Sequence, residues 1–458
     1  MWVPKLYGHK TILCKPIKPI KPIRPIKPIC LVPISYQISG PTSNDRVIVF
    51  DHSISSSCEV LFNKAVVKIE VKPESQEMPS SSRDNQLDRF CRQYLQLLPN
   101  LDYPDEQYLR DEVFQEAIYS RLFEENVLEY PPPQRYQLKT LKELARRIEN
   151  SIHDWEEQGI SDNLMSHLSI LLSTPMPSEA TAAQQQSYVT YTLSSLHPPP
   201  STSTSPTSQT PTITILESAS LLSGSGTTGL RTWEAALHLS NYISLNPHLI
   251  SNKTILELGC GTGFISILCA KYLSAKHVLA TDKSPETLTL MNTNLFLNNL
   301  TDGITPIPGQ NVTNKISTCE LTWGHMLPTG ESETFPDFLS SKSLPSSSTL
   351  TVGSKQTPLD LILAADVIYS PAVIPSLIVT LEDLFDLYPA VEVLISSTIR
   401  NADTYAIFVD MRRKKQWAIE RVDFGVAERS KQEGPWYGGL GEGTEILWVR
   451  NTSGRCGS

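Results

Sequence analysis

Three glycines at alternate positions, Gly259, Gly261 and Gly263, lie between two apolar runs in the stretch TILELGCGTGFISILCA. An acid, Glu257, precedes them within the first run, and a second acid, Asp282, ends the next apolar run along the chain. A strand that turns directly into a helix presents backbone N–H groups without partners, and glycine lets the backbone approach a ligand closely. The pattern therefore predicts a nucleotide-like cofactor at this turn.

The spacing of the glycines bears on which cofactor is held. A dinucleotide fingerprint has the spacing G-x-G-x-x-G and places a pyrophosphate at the helix N-terminus, but Phe264 stands where its last glycine would be. Glu257 would also repel a pyrophosphate, whereas Asp282 could hydrogen-bond ribose hydroxyls. A site for ribose without phosphates suits S-adenosylmethionine, with a dinucleotide-dependent oxidoreductase as the alternative.

The elements that must position these residues alternate between strand and helix from Thr212 onward. Apolar strands such as TILELG, HVLATD, LDLILAADVIY and VEVLISSTI each precede a predicted helix, and WAIERVDF and TEILWVR are predicted to pair as a terminal hairpin. This alternation predicts an α/β fold with a mostly parallel twisted sheet and helices on both faces. Ligands of such sheets bind beyond the carboxyl ends of the strands.

The rest of the chain divides by composition and periodicity. Residues 84–172 show apolar positions at spacings of three and four, which predicts a small N-terminal helical domain. Residues 173–212 are a low-complexity linker in which only SYVTYTL predicts a strand, and a polar insertion covers about 328–358. Residues 213–450 form the predicted cofactor-binding domain.

The N-terminal segment, residues 1–77, has a composition unlike the rest of the chain. It contains KPIKPIKPIRPIKPI, in which proline at every third position prevents a helix and favours polyproline II. We expect this segment to be a disordered extension or the product of a wrongly assigned start codon, with Met78 as the natural start.

Composition limits the partners. The net charge of -9 argues against direct binding of nucleic acid, which calls for a basic face. The sequence contains no run of about 18 apolar residues, so we expect no membrane partner. The 8 cysteines lack paired spacing and suggest reduced thiols in a cytoplasmic protein without a metal site.

Four stretches together resemble a known family. The acid before Gly-x-Gly-x-Gly resembles the first motif of the seven-strand methyltransferases. GSGTTGLRTWEAALHLSNYI, ELTWG and AADVIYSP resemble segments of the family 16 lysine methyltransferases. The resemblance implies a seven-strand Rossmann-like sheet and S-adenosylmethionine as the cofactor. It implies that the cofactor is bound by Trp233, Glu257, Gly259, Cys260, Gly261, Gly263, Asp282, Trp323 and Ala365.

Within that family the sequence is most similar to the branch that methylates translation elongation factor 2, through SYVTY and the GLRTWEAA segment. The resemblance implies protein-lysine methylation of elongation factor 2 in the cytoplasm, by a monomer. An acidic enzyme suits an RNA-binding substrate that is basic in places. The alternatives are a methyltransferase acting on another protein or a small molecule, and a binding module that kept the fold without catalysis.

The resemblance also implies two catalytic residues, Asp366 and Tyr369. A free lysine has a pKa of about 10.4, so on the order of 0.1% of it is neutral at neutral pH, and the amine must lose a proton before it can attack. Asp366 could orient the incoming ammonium, and Tyr369 could contact the methylated cation through its ring face. Alternatively, Asp366 caps the following turn, and Tyr369 and Trp233 are packing residues.

Overall fold

The computed structural model divides the chain into two compact units, residues 1–82 and 83–458. The described residues are 34–36, 47–50, 57–62, 65–70, 80–178, 181–182, 185–196, 210–218, 228–300, 315–325, 359–437 and 443–452. The polar insertion at 328–358 lies outside them, as does much of the predicted linker. Among the described residues, no helix has the length and apolar character needed to cross a membrane.

The first unit contains four antiparallel strands in the order β1-β2-β3-β4. Their bounds are β1 Ile34–Tyr36, β2 Val47–Phe50, β3 Ser57–Phe62 and β4 Ala65–Glu70. The sequence did not predict these strands. Most of residues 1–77, including the repeated proline triplets, lies outside the described residues, so the expectation of a disordered extension or of a start at Met78 stays a prediction.

Among the described residues, five helices follow, the first of which spans the boundary between the two units. They are α1 Ser80–Leu95, α2 Glu106–Leu109, α3 Glu112–Leu122, α4 Gln134–Ser151 and α5 Asp162–Ser173. Their apolar faces meet in a common core that includes Phe90, Tyr94, Ile118 and Leu144, each fully buried. The proline run at 131–133 directly precedes α4, because proline is tolerated at a helix start but not in its interior.

A two-stranded hairpin and a seven-stranded sheet follow. The hairpin pairs β5 Ser187–Thr192 with β6 Thr212–Glu217 in antiparallel register. The sheet contains β7 Thr254–Leu258, β8 His277–Asp282, β9 Ile316–Glu320, β10 Leu361–Ala365, β11 Glu392–Ile399, β12 Ala418–Arg421 and β13 Gly443–Arg450. Its order is β12-β13-β11-β10-β7-β8-β9, and β13 runs in the direction opposite to the other six strands.

Helices cover both faces of this sheet. They are α6 Glu234–Leu245, α7 Phe264–Lys271, α8 Pro285–Leu297, α9 Ile374–Leu387 and α10 Ala402–Lys414. Short 3-10 turns occur at Ser194–Leu196, Pro247–Leu249 and Arg429–Lys431. Successive strand residues point to opposite faces, so Ile255 packs with α6, α7 and α8, while Leu256 and Leu258 pack with α9 and α10. The predicted fold class, including the terminal hairpin of β12 and β13, is confirmed.

Candidate active site

A cavity of about 690 Å³ opens at the carboxyl ends of β7, β8 and β10. Of the eleven residues that the sequence assigns to the site, ten line its wall. The exception is Gly263, which is the N-cap of α7 and does not line the cavity. The ten come from five separate stretches of the chain, and the parallel strands bring them together because their carboxyl ends share one edge of the sheet.

The glycine turn is formed by backbone conformations that disfavour other residues. Gly259, Gly261 and Gly263 have φ angles of 71°, 53° and 83°. A Cβ at Gly259 would lie 3.3 Å from the Trp323 ring, and one at Gly261 would lie 3.3 Å from the carbonyl oxygen of Gly229. A Cβ at Gly263 would lie 2.8 Å from the Met291 side chain, so Gly263 permits the close packing of α7 on α8.

Two carboxyl groups line the part of the cavity next to this turn. Glu257 is almost completely buried and accepts a hydrogen bond from the Ser266 hydroxyl, and burial raises its pKa to about 8. Asp282 accepts hydrogen bonds from Gly261 N at 3.2 Å and Ser284 N at 3.0 Å, and burial also raises its pKa. These groups give the cavity an acidic wall, which suits a cationic ligand and disfavours a phosphate.

Two tryptophans form further walls. Trp233 is half-buried and its indole N–H donates to Thr228 O at 2.9 Å. The guanidinium groups of Arg231 and Arg400 lie 5.2 and 5.1 Å from its ring centroid. Trp323 packs against the backbone of Gly259 across the glycine turn. Flat aromatic surfaces of this kind can stack on an adenine ring.

Asp366 lies directly after β10 with a left-handed backbone, φ 52°. Its own N–H still donates to Ser396 O of β11, at 2.9 Å, so the carboxylate turns inward as the strand ends. One carboxylate oxygen accepts from Thr398 N at 2.9 Å and the other accepts from Ala235 N, in the first turn of α6, at 3.4 Å. Burial raises the pKa of Asp366. The sequence predicted a strand through Tyr369, but the strand ends at Ala365.

Tyr369 stands at the mouth of the cavity, with 45% of its surface exposed. Asp366 lies deeper on the same wall and its side chain is 7% exposed. An exposed aromatic ring and a buried carboxylate in the wall of one cavity can receive a long cationic side chain from solvent. Ala365, the last residue of β10, adds a small apolar surface beside them.

The sequence did not predict the support for the loop at 228–233. The buried carboxylate of Glu217, at the end of β6, accepts from Thr232 N at 2.9 Å and from the Tyr191 hydroxyl at 3.3 Å. The Thr232 hydroxyl bonds that of Thr262, in the glycine turn, at 2.8 Å. The hairpin therefore fixes this loop against the cofactor side of the cavity. A buried acid in the alternating strand TITILE was the available signal.

Two asparagine side chains bond the backbone of β6 along one edge, where another strand could otherwise pair. The amide groups of Asn294, in the last turn of α8, and Asn298, its C-cap, exchange hydrogen bonds with the backbone of Leu216 and Thr214 respectively. Asn294 also donates to Thr262 O at 2.9 Å. Backbone N–H and C=O groups at a buried strand edge are costly without partners. These side chains supply partners to the edge of β6, and Asn294 also connects the hairpin to the glycine turn.

The chemistry of the cavity fits S-adenosylmethionine. The glycine turn allows a close backbone approach, the two buried acids suit its positive charges, and the tryptophans offer surfaces for its adenine. Within the described residues, no group of three or more metal-ligating side chains is found. The fold and this site define the class as the S-adenosylmethionine-dependent methyltransferases with a seven-stranded sheet.

Comparison with known proteins identifies the family within this class. The sequence profile described as lysine methyltransferase matches residues 209–339 and 341–414. The chain is 45% identical over 357 residues to protein-lysine N-methyltransferase EFM3 of Chaetomium thermophilum, which covers 78% of this chain and 96% of that relative. It is 29% identical over 213 residues to protein-lysine N-methyltransferase EEF2KMT of Homo sapiens, which covers 45% and 57% of the two chains. The protein belongs to the protein-lysine N-methyltransferases, and S-adenosylmethionine is its methyl donor.

Proposed function

We propose that this enzyme methylates a lysine of translation elongation factor 2 in the cytoplasm, acting as a monomer. The observation that carries the lysine part is the cavity wall, where exposed Tyr369 and buried Asp366 line the same opening. The choice of elongation factor 2 rests on the resemblance of SYVTY and GLRTWEAA, and on the similarity to EEF2KMT.

The proposed site divides into a cofactor side and a substrate side. Glu257 and Asp282 hold the cofactor through its positive charge and its ribose hydroxyls, and Trp323 receives the adenine. When bound, S-adenosylmethionine supplies a methyl carbon on a sulfonium, which a neutral amine takes up while sulfur keeps the electron pair of the broken bond. Gly259, Cys260, Gly261 and Ala365 shape this side of the cavity.

On the substrate side, Asp366 orients the amine and Tyr369 lines the channel. The carboxylate is held by two backbone N–H groups, from Thr398 and Ala235, so its direction is fixed before a substrate enters. Fixed direction matters because methyl transfer needs the attacking nitrogen in line with the bond that breaks. Partial burial of the lysine lowers its pKa and raises the fraction of neutral amine.

The open mouth of the cavity bears on whether the substrate is a small molecule or a lysine of a protein. Tyr369 is almost half exposed, and Arg400 beside it is about one third exposed. A small-molecule enzyme benefits from excluding water around its whole substrate, whereas a lysine presented by a protein brings its own covering surface. A protein substrate is therefore favoured over a small molecule.

The test uses an extract from cells lacking this enzyme. The purified enzyme and labelled S-adenosylmethionine are added, and the labelled band is identified by mass spectrometry. We expect label on elongation factor 2, and none when Asp366→Ala replaces the wild type. Label on a different protein only would disprove the specific substrate while leaving lysine methylation intact.

A further inference from the structure

Arg400 lies just after β11, and the proposed mechanism above gives it no role. Its guanidinium donates to the Glu234 carboxylate at 2.8 Å and lies 3.5 Å from the Asp366 carboxylate. Its central carbon lies 5.1 Å from the centroid of the Trp233 ring. The side chain is 35% exposed and lines the cavity. A positive charge thus stands beside the carboxylate that is proposed to receive the substrate.

The surroundings of Asp366 contain charges of both signs. From the end of β11 come Arg400 and the N–H of Thr398, and from the start of α6 come Glu234 and the N–H of Ala235. Arg231 also contacts Glu234, at 3.5 Å. The other titratable groups of the cavity wall are Glu257, Cys260, Asp282, Lys283 and Tyr369.

A carboxylate alone creates a difficulty for a lysine methyltransferase. An opposite charge within about 4–6 Å favours the charged form of a titratable group, so Asp366 by itself would stabilise the ammonium and oppose its deprotonation. A neighbouring cation acts in the other direction, because a lysine beside another positive group has a lowered pKa. Arg400 is placed to offset the charge of Asp366 while leaving its oxygens as hydrogen-bond acceptors.

We propose that Arg400 is a positioning residue whose positive charge keeps Asp366 ionised and oriented. By offsetting the negative charge of Asp366, Arg400 also favours the neutral form of the substrate amine. The inference rests on the proposed role of Asp366 in lysine methylation. The proton that the amine loses passes to solvent, since Arg400 stays protonated throughout and the mouth of the cavity is open. Arg400 therefore changes protonation equilibria without taking part in a proton transfer.

Removal of one positive charge has a distinctive signature, which is that the pKa of every neighbouring group rises. In Arg400→Gln, we expect the rising limb of the pH profile of kcat to move about one unit to higher pH, which is about tenfold lower kcat at pH 7 and a smaller deficit near pH 9.5. Arg400→Lys should restore most of the profile. Elongation factor 2 from cells lacking the enzyme serves as substrate.

The matched control is Arg413→Gln on α10. Arg413 pairs with Asp410 at 3.6 Å, and both side chains are about two thirds exposed, so this change removes the same charge away from the cavity. The pH profile of Arg413→Gln should coincide with that of the wild type. A loss of kcat in Arg400→Gln that is equal at every pH would indicate a structural role and overturn the proposal.

A second measurement does not depend on turnover. The titration of Asp366 is followed by NMR of the full chain carrying 13C-labelled aspartate carboxyls, with Asp366→Asn to assign the signal. The pKa of Asp366 should be higher in Arg400→Gln than in the wild type and near the wild-type value in Arg400→Lys. An unchanged titration overturns the proposal. If the wild type does not methylate elongation factor 2, the proposed substrate fails, and this titration still decides the role of Arg400.

Discussion

Cofactor binding should release a proton from Glu257. In the cofactor-free protein this carboxyl is buried and its pKa is raised to about 8, so it is mostly protonated at neutral pH. S-adenosylmethionine brings positive charge into the cavity that Glu257 lines, and a nearby positive charge favours the ionised carboxylate. The carboxyl should therefore lose its proton as the cofactor enters, which couples affinity to pH.

The size of the coupling follows from that pKa. With a value near 8, Glu257 carries about 0.9 of a proton at pH 7, and this is the most it can release on binding. If the pKa falls below 6 in the complex, the affinity should increase about 50-fold between pH 6 and pH 8 and change little above that. The direction is fixed because the free enzyme binds more protons than the complex.

Isothermal titration calorimetry in buffers with different ionisation enthalpies measures the protons released. The cofactor has titratable groups of its own, so the informative quantity is the difference between the wild type and Glu257→Gln. The glutamine keeps the size of the side chain and cannot titrate, and it should remove the release and flatten the pH dependence. Equal proton release from both proteins would refute the assignment of the linked proton to Glu257.

The same carboxyl predicts how the cofactor-free protein responds to pH. The pKa of Glu257 in the folded state, about 8, exceeds that of an unfolded glutamate, about 4.3. Between these values the folded state binds the extra proton, so the contribution of Glu257 to the free energy of unfolding falls as pH rises. Glu257→Gln should therefore gain stability relative to the wild type from pH 5 to pH 8, as denaturant unfolding would measure. A constant difference would contradict the raised pKa.

Three further predictions address other parts of the molecule. Asp366→Ala should abolish methylation and leave the cofactor Kd within a few-fold, as an activity assay and calorimetry on one preparation would show; retained activity would rule out its role. Asp282→Ala should weaken cofactor binding, and an unchanged Kd would contradict ribose recognition. Gln96→Ala removes two buried hydrogen bonds to the Trp436 backbone and should cost about 2–4 kcal/mol of unfolding free energy. Its control, Gln86→Ala, removes a similar but exposed pair, and an equal loss would contradict the importance of burial.

Local sequence patterns predicted most of the cofactor side of the site. The glycine turn and the acids at Glu257 and Asp282 lie at or near the ends of short, continuous apolar runs, and their length and the flanking glycines favour buried strands over helices. The strand β9 was missed because ISTCE has only one strongly apolar residue and lies next to the polar insertion. Its pairing with β8 supplies the burial that its own sequence does not indicate.

Positions that depend on contacts between distant segments could not be predicted. The left-handed backbone at Asp366 is maintained by bonds to Ser396 and Thr398, thirty or more residues away, whereas local propensity favours a continued strand. Arg400 and Glu217 likewise acquire their partners only when the sheet and the hairpin have formed. Arg400 follows a strand in a polar stretch, where a single sequence gives no signal of its partners, whereas Glu217 in the alternating strand TITILE does stand out as a buried acid.

Helix α6 contacts both Asp366 and a C-terminal segment that α1 also contacts. Its first turn supplies the N–H of Ala235 to Asp366, and its middle contacts the Tyr437 hydroxyl through Asn241 at 3.1 Å and His238 at 3.4 Å. Burial lowers the pKa of His238 to about 4, so this contact stays uncharged at neutral pH.

Tyr437 belongs to the segment 427–437, which Arg89 of α1 and Gln96, just after α1, also contact. Gln96 exchanges two hydrogen bonds with the backbone of Trp436, and the Arg89 guanidinium donates to Gln432 O at 2.6 Å and Arg429 O at 2.9 Å. The two Gln96 bonds are buried, and satisfied polar contacts of this kind rigidify the structure around them. Helix α1 and Gln96 thus contact the same segment that supports α6. Displacement of α1 should therefore change the position of α6, and with it both the hydrogen bond at Asp366 and the part of the cavity wall that Trp233 and Ala236 form.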